Sequence, residues 1–440
     1  MTYRRSLIAG AATLVAALAA APIAGAVDYP PPSNPKSATT KPKGPFKTLK
    51  VCKSKKSCFP TIQSAVNKAK PGDTIKVANG TYKEGVSIVG ASKRYIKLVG
   101  NPKDPSKVVL EANGAKVKSN GVQVRDAVHV TIDGFTAQHY KANGFFALNV
   151  KGYKFDHDIG KWGGTYGLYA FNSYGGVMTD DVGAWNNDSG FYIGQTPKQT
   201  KPTRTIATRL KAYGNVIGWS GTNMRYVTIT KSKFWNNGTG IVPNTLDSEK
   251  FPPPEENVIS GNDVFWNNFN YYLGSPFVLN NTSVGNVPYP VGVGILLYGG
   301  HKNTVTNNNV YGNWLVGIGG IQAITLKEPD LQTLIGNRVT NNKLGLGGQD
   351  LNGYDLAYDG DGSDNCFSGN SGVSTMMPND PATFPGCPFT GANAFNATAQ
   401  QTAFSWALAQ NHEAAWQRHP HVSKKGFLPL EHWTKGRGDK

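Results

Sequence analysis

Gly144-Phe145-Phe146-Ala147-Leu148, Gly167-Leu168-Tyr169-Ala170-Phe171 and Gly190-Phe191-Tyr192-Ile193 are three versions of one short segment. In each, a glycine opens an apolar strand, and the glycines stand 23 residues apart. The pattern returns at Gly240, Gly294 and Gly317, and Gly345 is expected to begin the last clear copy. Between Gly190 and Gly240 the spacing fits two copies plus an insertion around Lys198–Thr205; proline-rich Phe251–Glu256 is a second insertion. Asparagines keep the same rhythm, at Asn186-Asn187, Asn236-Asn237, Asn267-Asn268, Asn313 and Asn341-Asn342. Short strands with turns at fixed offsets imply one coil per repeat, of about three strands. Coils then stack by parallel pairing at about 4.8 Å per step. Equivalent residues pile up: Val264 on Val310 in an apolar interior, and Asn267 on Asn313 in an amide ladder that holds the turns. Helical periodicity is absent through the middle of the chain, and no hairpin pattern repeats.

Working outward, Thr61 to Lys70 places Ile62, Ala65, Val66 and Ala69 on one helical face, ahead of Pro71-Gly72. Short alternating strands follow at Thr74–Val77, Val86–Ile88 and Tyr95–Val99. At the other end, Thr398 to Gln417 carries Phe404, Ala407, Leu408 and Trp416 and reads as a helix covering an open end or side of the stack. Arg4-Arg5 ahead of the apolar run Leu7–Ala20, with Ala24-Gly25-Ala26 behind it, has the form of a secretory signal with cleavage after residue 26. The run is too short to span a bilayer, and no later segment could cross a membrane. Residues 27–50, rich in proline and lysine, read as a linker; 51–375 is the repeat unit; 376–440 is an extension with one helix.

The net charge is +17, and ten lysines lie between Tyr29 and Pro71 with no acid among them. Such a segment is a solvated tether or is drawn to an anionic polymer. For an exported chain that means an acidic polysaccharide or cell-envelope polymer, not nucleic acid, and the chain is expected to be a monomer located outside the cytoplasm. Four cysteines allow three pairings; the two local ones, Cys52–Cys58 and Cys366–Cys387, are expected to staple one loop each.

Thr61-Ile62-Gln63-Ser64-Ala65, Pro71-Gly72-Asp73-Thr74-Ile75, Asn79-Gly80-Thr81-Tyr82 and Val130-Thr131-Ile132-Asp133-Gly134-Phe135, followed by the Asn/Gly coils, resemble the pectate-lyase-like superfamily over about residues 47–375. The resemblance implies an all-β fold: a single-stranded right-handed parallel β-helix of about 23 residues per coil, with a short N-terminal capping helix and a C-terminal helical tail. It does not fix a function, because binders, lyases, hydrolases, esterases and epimerases share that fold. Gly80-Thr81-Tyr82-Lys83-Glu84 is similar to an early pectin-methylesterase motif, but the later glutamine and aspartate motifs are missing. Asp180-Asp181 is similar to a polygalacturonase pair without its companion motifs, Lys201-Pro202-Thr203-Arg204 lacks the full two-arginine motif of one pectate-lyase family, and Asp156-His157-Asp158 resembles the Asp-x-His of mannuronan epimerases at a different spacing.

Lyases and epimerases of uronates remove a proton beside a carboxylate, neutralise that carboxylate with Ca²⁺ or another cation, and place a base nearby. One set here has the residue types. Asp133 and Asp156 are 23 apart, as are Asp158 and Asp181. Asp156, Asp158, Asp180 and Asp181 are therefore the candidate metal ligands, with Ca²⁺ the expected ion. His157, Arg209, Lys231 and Lys233 are the candidate base or clamp, and Lys161, Trp185, Trp235 and Trp266 the candidate sugar-binding residues. Asp359–Asp364 reads as an acidic turn near Cys366, and His412, His419, His421 and His432 as part of a polar tail. The expected function is binding of a uronate-type polysaccharide, with lyase or epimerase chemistry if active. The alternatives are a non-catalytic surface scaffold and, third, metal delivery in the periplasm.

Overall fold

The computed structural model describes residues 40–52, 57–113, 119–269, 271, 289–324, 328–347 and 350–409. The expected signal segment and the four tail histidines lie outside them. The strands form three long parallel sheets. Sheet A has 12 strands from Thr48–Val51 to Cys366–Ser368. Sheet B has 10, from Gly80–Tyr82 to Lys343–Leu344. Sheet C has 11, from Val86–Val89 to Met376–Met377. The chain visits A, B and C in turn and climbs one step, which is a right-handed parallel β-helix. The first strand starts at Thr48, three residues inside the segment expected to be linker.

Register is in step along the stack. Phe145 pairs with Leu168, Leu168 with Phe191, and Val264 with Val310. The middle residue of each sheet B strand from Thr136–Gln138 to Asn309–Tyr311 points inward, so Ala212, Phe234, Val264 and Val310 are wholly buried in one continuous core. The strand-opening glycines form a column of their own. A Cβ on Gly144 would lie 2.7 Å from the Gly167 carbonyl oxygen, and one on Gly240 would lie 2.4 Å from that of Gly294. The period is therefore a steric demand: successive backbones touch there. Gly218 supplies the copy between Gly190 and Gly240. Gly345 does not begin a copy. It follows sheet B, and the next sheet C strand is Tyr354–Tyr358, with Asp355 where a glycine stood.

The asparagines belong to three ladders, not one. Asn186, Asn215, Asn237, Asn267, Asn313 and Asn352 line the corner between sheets B and C, with Asn237 Nδ2 donating to Asn267 Oδ1 at 3.0 Å and Asn267 Nδ2 to Asn313 Oδ1 at 3.1 Å. Asn257, Asn303, Asn337, Asn365 and Asn393 precede sheet A. Asn262, Asn308, Asn342 and Asn370 occupy the corner between sheets A and B, so Asn342 does not continue the series of Asn267.

Ile62–Lys68 is a helix with Thr61 as its N-cap and Ser64 completing a capping box. Glu84 accepts from the amides of Ile62 and Gln63 and so fixes the helix on the first coils. Near the C-terminus the helix Ala397–Ala409 buries Ala399, Ala403 and Trp406 against the outer side of the stack, where Trp406 stacks on Tyr354. Both local disulfides are present, Cys52–Cys58 and Cys366–Cys387, and there are no free cysteines.

Candidate functional site

The corner between sheets A and B collects most of the expected residues. From Thr131–Asp133 onward, the strands of sheet A up to Arg338–Thr340 end in an outward residue. A left-handed residue then turns the chain, an inward residue follows, and sheet B begins. His157 (φ 53°), Asp180 (φ 58°), Arg209 (φ 55°) and Lys231 (φ 51°) are the left-handed residues of four successive coils. They form one outward column, about 4.8 Å per step. Asp133 and Asp156 end successive strands of sheet A and are in register.

At the N-terminal end of this column, Asp133 Oδ1, Asp156 Oδ1 and His157 Nδ1 converge within 4.8 Å. The imidazole nitrogen lies 2.7 Å from Asp156 and 3.8 Å from Asp133. Lys154 pairs with the other oxygen of Asp156. Burial, with the neighbouring charge of Asp156, raises the Asp133 carboxyl above the usual range. One coil on, Arg209 Nε and Nη2 grip both oxygens of Asp180 at 2.7 and 2.6 Å, and Nη2 also reaches Thr179. That ion pair holds Asp180 below the ordinary carboxylate range and raises Arg209 further.

Three expectations are corrected here, and that for Arg209 is narrowed. Asp158 and Asp181 are wholly buried inside the coil. Asp158 accepts from the Phe135 amide at 2.9 Å, and Asp181 from the Asp158 amide at 2.8 Å. They occupy the inward position that asparagine holds in later coils, so they cannot join Asp156 in a surface cation site. Asp180 is taken by Arg209. Arg209, bound on two sides and further from losing its proton, is suited to be a clamp, not a base. Trp185 is fully buried, edge-on against Tyr213 and Phe269, so no sugar reaches it.

Trp235 is part of a stack along the outer edge of sheet B. Tyr213, Trp235, Phe265 and Tyr311 lie with centroids 4.8, 6.1 and 5.0 Å apart. Both faces of Trp235 are covered by its neighbours, and only ring edges remain for a ligand. Trp266 differs: it lies over Gly312, where a Cβ would stand 2.2 Å from the ring, and is half-exposed. Trp162, not singled out in the sequence, is likewise half-exposed, tiled between His139 and Trp185. Lys161 is half-buried at the end of its sheet B strand.

The cations concentrate on two coils. Lys211 and Lys233 are in register on sheet B, with Arg209 and Lys231 beside them at the corner, and all four are exposed. Two acids oppose them: Asp180 on Arg209, and Asp263, whose carboxylate is 3.6 Å from the Lys233 ammonium.

The acidic turn Asp359–Asp364 is structural. Asp359 accepts from the amides of Gln322 and Asp361, Asp361 from Leu334, and Asp364 from Gly391.

A second concentration of polar groups escaped the sequence reading. The strands of sheet C from Ser189 to Ile321 are six residues long, against three in sheet B. On their outer face the segment after Asn244 folds back, and Tyr192 donates to Glu249 Oε1 across 57 positions. No periodicity links these residues; the length of the sheet C strands and the insertion after Asn244 were the available signals.

Residues 165–374 match the family described as "Periplasmic copper-binding protein (NosD)". No curated protein sequence matches the chain. Among solved structures it is similar to the A-module of the Azotobacter vinelandii mannuronan C-5 epimerase AlgE4, at 14% identity over 72% of this chain and 90% of that one, with a TM-score of 0.47. It is similar to the DFA-IIIase of Arthrobacter chlorophenolicus A6, at 10% identity over 73% and 93%, with a TM-score of 0.47. It is also similar to the pectate lyase Pel9A, at 15% identity over 79% and 82%, with a TM-score of 0.39. None of these likenesses carries a residue role to this chain.

Copper prefers thiolate, thioether and imidazole ligands. Among the described residues of the matched span the donors do not fit it. Met178 and Met224 are wholly buried in the core, Cys366 is in a disulfide, and His301 is the single histidine. The one three-ligand group among the described residues, Asp133-Asp156-His157, lies before the span begins.

Proposed function

We propose that this chain is an extracytoplasmic β-helix protein that binds an acidic, uronate-type polysaccharide along the outer corner of sheets A and B. The observation that carries the reading is the grid of Arg209, Lys211, Lys231 and Lys233, four exposed cations on two adjacent coils against two carboxylates. A polymer with a carboxylate on every sugar can meet a column of cations repeated at the coil step, and the rigid stack holds that column in place. The partly exposed rings of Trp162 and Trp266 lie at the other edge of sheet B, at its corner with sheet C. Two disulfides with no free thiol fit an oxidising compartment, and the family matched over 165–374 is described as periplasmic.

Binding is the function we assign to this face. The metal set expected for uronate chemistry is not assembled, because Asp158 and Asp181 point inward and Asp180 is engaged by Arg209, while His157, Lys231 and Lys233 stay at the corner as the candidate bases. The place for a divalent cation is Asp133, Asp156 and His157. Two oxygens and one imidazole nitrogen suit a first-row transition ion better than Ca²⁺, which takes about six to eight oxygens. Adding Ca²⁺ at about 1 mM is therefore expected to leave glycan affinity unchanged within roughly twofold; a tenfold gain would restore calcium to the site.

Affinity electrophoresis in polygalacturonate, alginate and hyaluronan gels tests the binding. Retardation is expected in at least one, weakening with salt. Lys211→Ala and Lys231→Ala should each cost about 1 kcal/mol, roughly fivefold in affinity. Unretarded migration in all three gels would end the proposal.

A further inference from the structure

The first coils carry a surplus of positive charge that the corner of sheets A and B does not use. Between residues 40 and 110 eleven lysines are exposed, and among the described residues none of them is in an ion pair. Three carboxylates share that stretch, and each is spent on backbone amides. Asp73, buried, accepts from the Lys47 amide at 2.8 Å and from the Lys70 amide at 2.9 Å. Glu84 accepts from the two amides that open the capping helix, and Asp104 from the Ser106 amide at 3.2 Å. The exposed ammonium groups therefore stand at the surface with no carboxylate at ion-pair distance.

The backbone gathers six of these lysines at the N-terminal end of the stack. Asp73 ties Lys47 to Lys70 through their amides, and the Lys97 amide bonds the Asp73 carbonyl at 3.1 Å. Lys50 and Lys76 are in register on the first two strands of sheet A, and Lys68 ends the capping helix. Phe46 stands among them, 48% exposed, with its ring over Gly72, where a Cβ would clash.

We infer that this N-terminal end is a docking surface for a lipid bilayer that contains anionic phospholipid, with the six lysines facing the headgroups and Phe46 between them. This goes beyond the binding of an acidic polysaccharide, and it uses a different part of the molecule.

The arrangement suits a surface better than a single chain. At the corner of sheets A and B the cations repeat in line at the coil step, as a bound polymer requires. Here they spread over the capping helix, the segment before the first strand and the strands themselves, as a broad negative plane requires. They are lysines; the one arginine between residues 40 and 110, Arg94, is turned to the carbonyls of Thr40 and Ala91. A lysine ammonium is a point charge without the planar fork that reads one carboxylate or phosphate, so it fits a diffuse field. Each lysine near an anionic bilayer strengthens binding about fivefold. Phe46 adds what a charged glycan has no use for, an apolar ring that can enter the headgroup layer.

Sedimentation of the exported protein with vesicles of phosphatidylcholine, alone or mixed with phosphatidylglycerol, is the test. Binding to the mixed vesicles should exceed binding to the neutral ones by about tenfold or more, and should fall as salt rises. Lys50→Glu/Lys70→Glu/Lys76→Glu should lose about tenfold or more, and the milder Lys50→Gln/Lys70→Gln/Lys76→Gln about fivefold. Circular dichroism confirms that each variant is folded. The inference is overturned if the two kinds of vesicle bind alike, or if both triple variants bind the mixed vesicles as tightly as the parent. A protein that takes polyphosphate through these lysines and ignores the vesicles also overturns it, and gives the surface to a soluble phosphate polymer. The polysaccharide reading fails separately. Both triple variants should keep their gel retardation, and Lys211→Ala/Lys231→Ala should keep its vesicle binding; a loss of that binding would move the docking to the corner and overturn this surface. Vesicle binding without gel retardation removes the polysaccharide reading and leaves this one; gel retardation without vesicle binding does the reverse.

Discussion

Asp181→Asn is expected to stabilise the protein by about 2 kcal/mol at pH 7.5, and by nothing measurable at pH 4. Asp158 and Asp181 are fully buried in adjacent coils. Burial first, and each other's proximity second, raise the Asp181 carboxyl well above its ordinary range; burial does the same to Asp158. A carboxyl whose folded pKa is raised favours folding in its protonated form. That contribution is complete below the unfolded value near 3.9 and is lost progressively as pH rises towards the folded pKa. Asparagine is neutral throughout. It already fills the same inward position at Asn262 and Asn308, whose Nδ2 atoms donate to the carbonyls of Ile229 and Ile259. The difference between variant and parent should therefore grow with pH, which thermal unfolding across pH 4 to 8 would reveal. A variant no more stable at pH 7.5 than at pH 4, relative to the parent, would mean that the two acids are ionised in the core.

Asn267→Ala should do the opposite, costing about 3 kcal/mol or more. Asn267 sits mid-ladder. Its Oδ1 accepts from the Asn237 amide and side chain, and its Nδ2 donates to the Phe234 carbonyl and to Asn313. Truncation removes four buried hydrogen bonds and leaves the Asn237 amide without a partner where no side chain can move in, and water has no room between coils in contact. Asn309→Ala is the contrast: Asn309 is exposed, its bond to Asp263 lies at the surface, and its loss should cost under about 0.5 kcal/mol. Thermal unfolding of the two variants separates an interior ladder from a surface one. Equal effects would show that the ladder is not a source of stability. Coils contact only their neighbours, so the unfolding of Asn267→Ala is also expected to broaden.

The corner residues show why the sequence grouped these side chains at one corner and misjudged which of them face water. Asp156 and Asp158 are two apart, a spacing that in a straight strand puts both side chains on one face. His157 between them is left-handed, so the chain turns, Asp156 looks out and Asp158 looks in. The same turn separates outward Thr179 and Asp180 from inward Asp181. A column of acids 23 residues apart is legible in the sequence; which column faces water is not, because that depends on one dihedral at the corner. Two of the three tryptophans were misjudged for a related reason. Their position beside the asparagine ladder was correct, but Trp185 packs beneath Phe269 and Tyr213, and Trp235 lies between two rings supplied by other coils.

By itself, the sequence determined the coil and its period, because these rest on repeated local demands. Glycine stands where backbones touch, asparagine recurs at the tight corners, a capped helix packs on the first coils, and cysteines pair across one loop. The tertiary structure decided which side chains meet across large separations. Tyr192 and Glu249 are 57 residues apart and joined by no repeat, and their contact exists because a non-repeating insertion folds back over sheet C. A repeat transmits its own geometry along the chain; an insertion takes its position only from the surface it lands on.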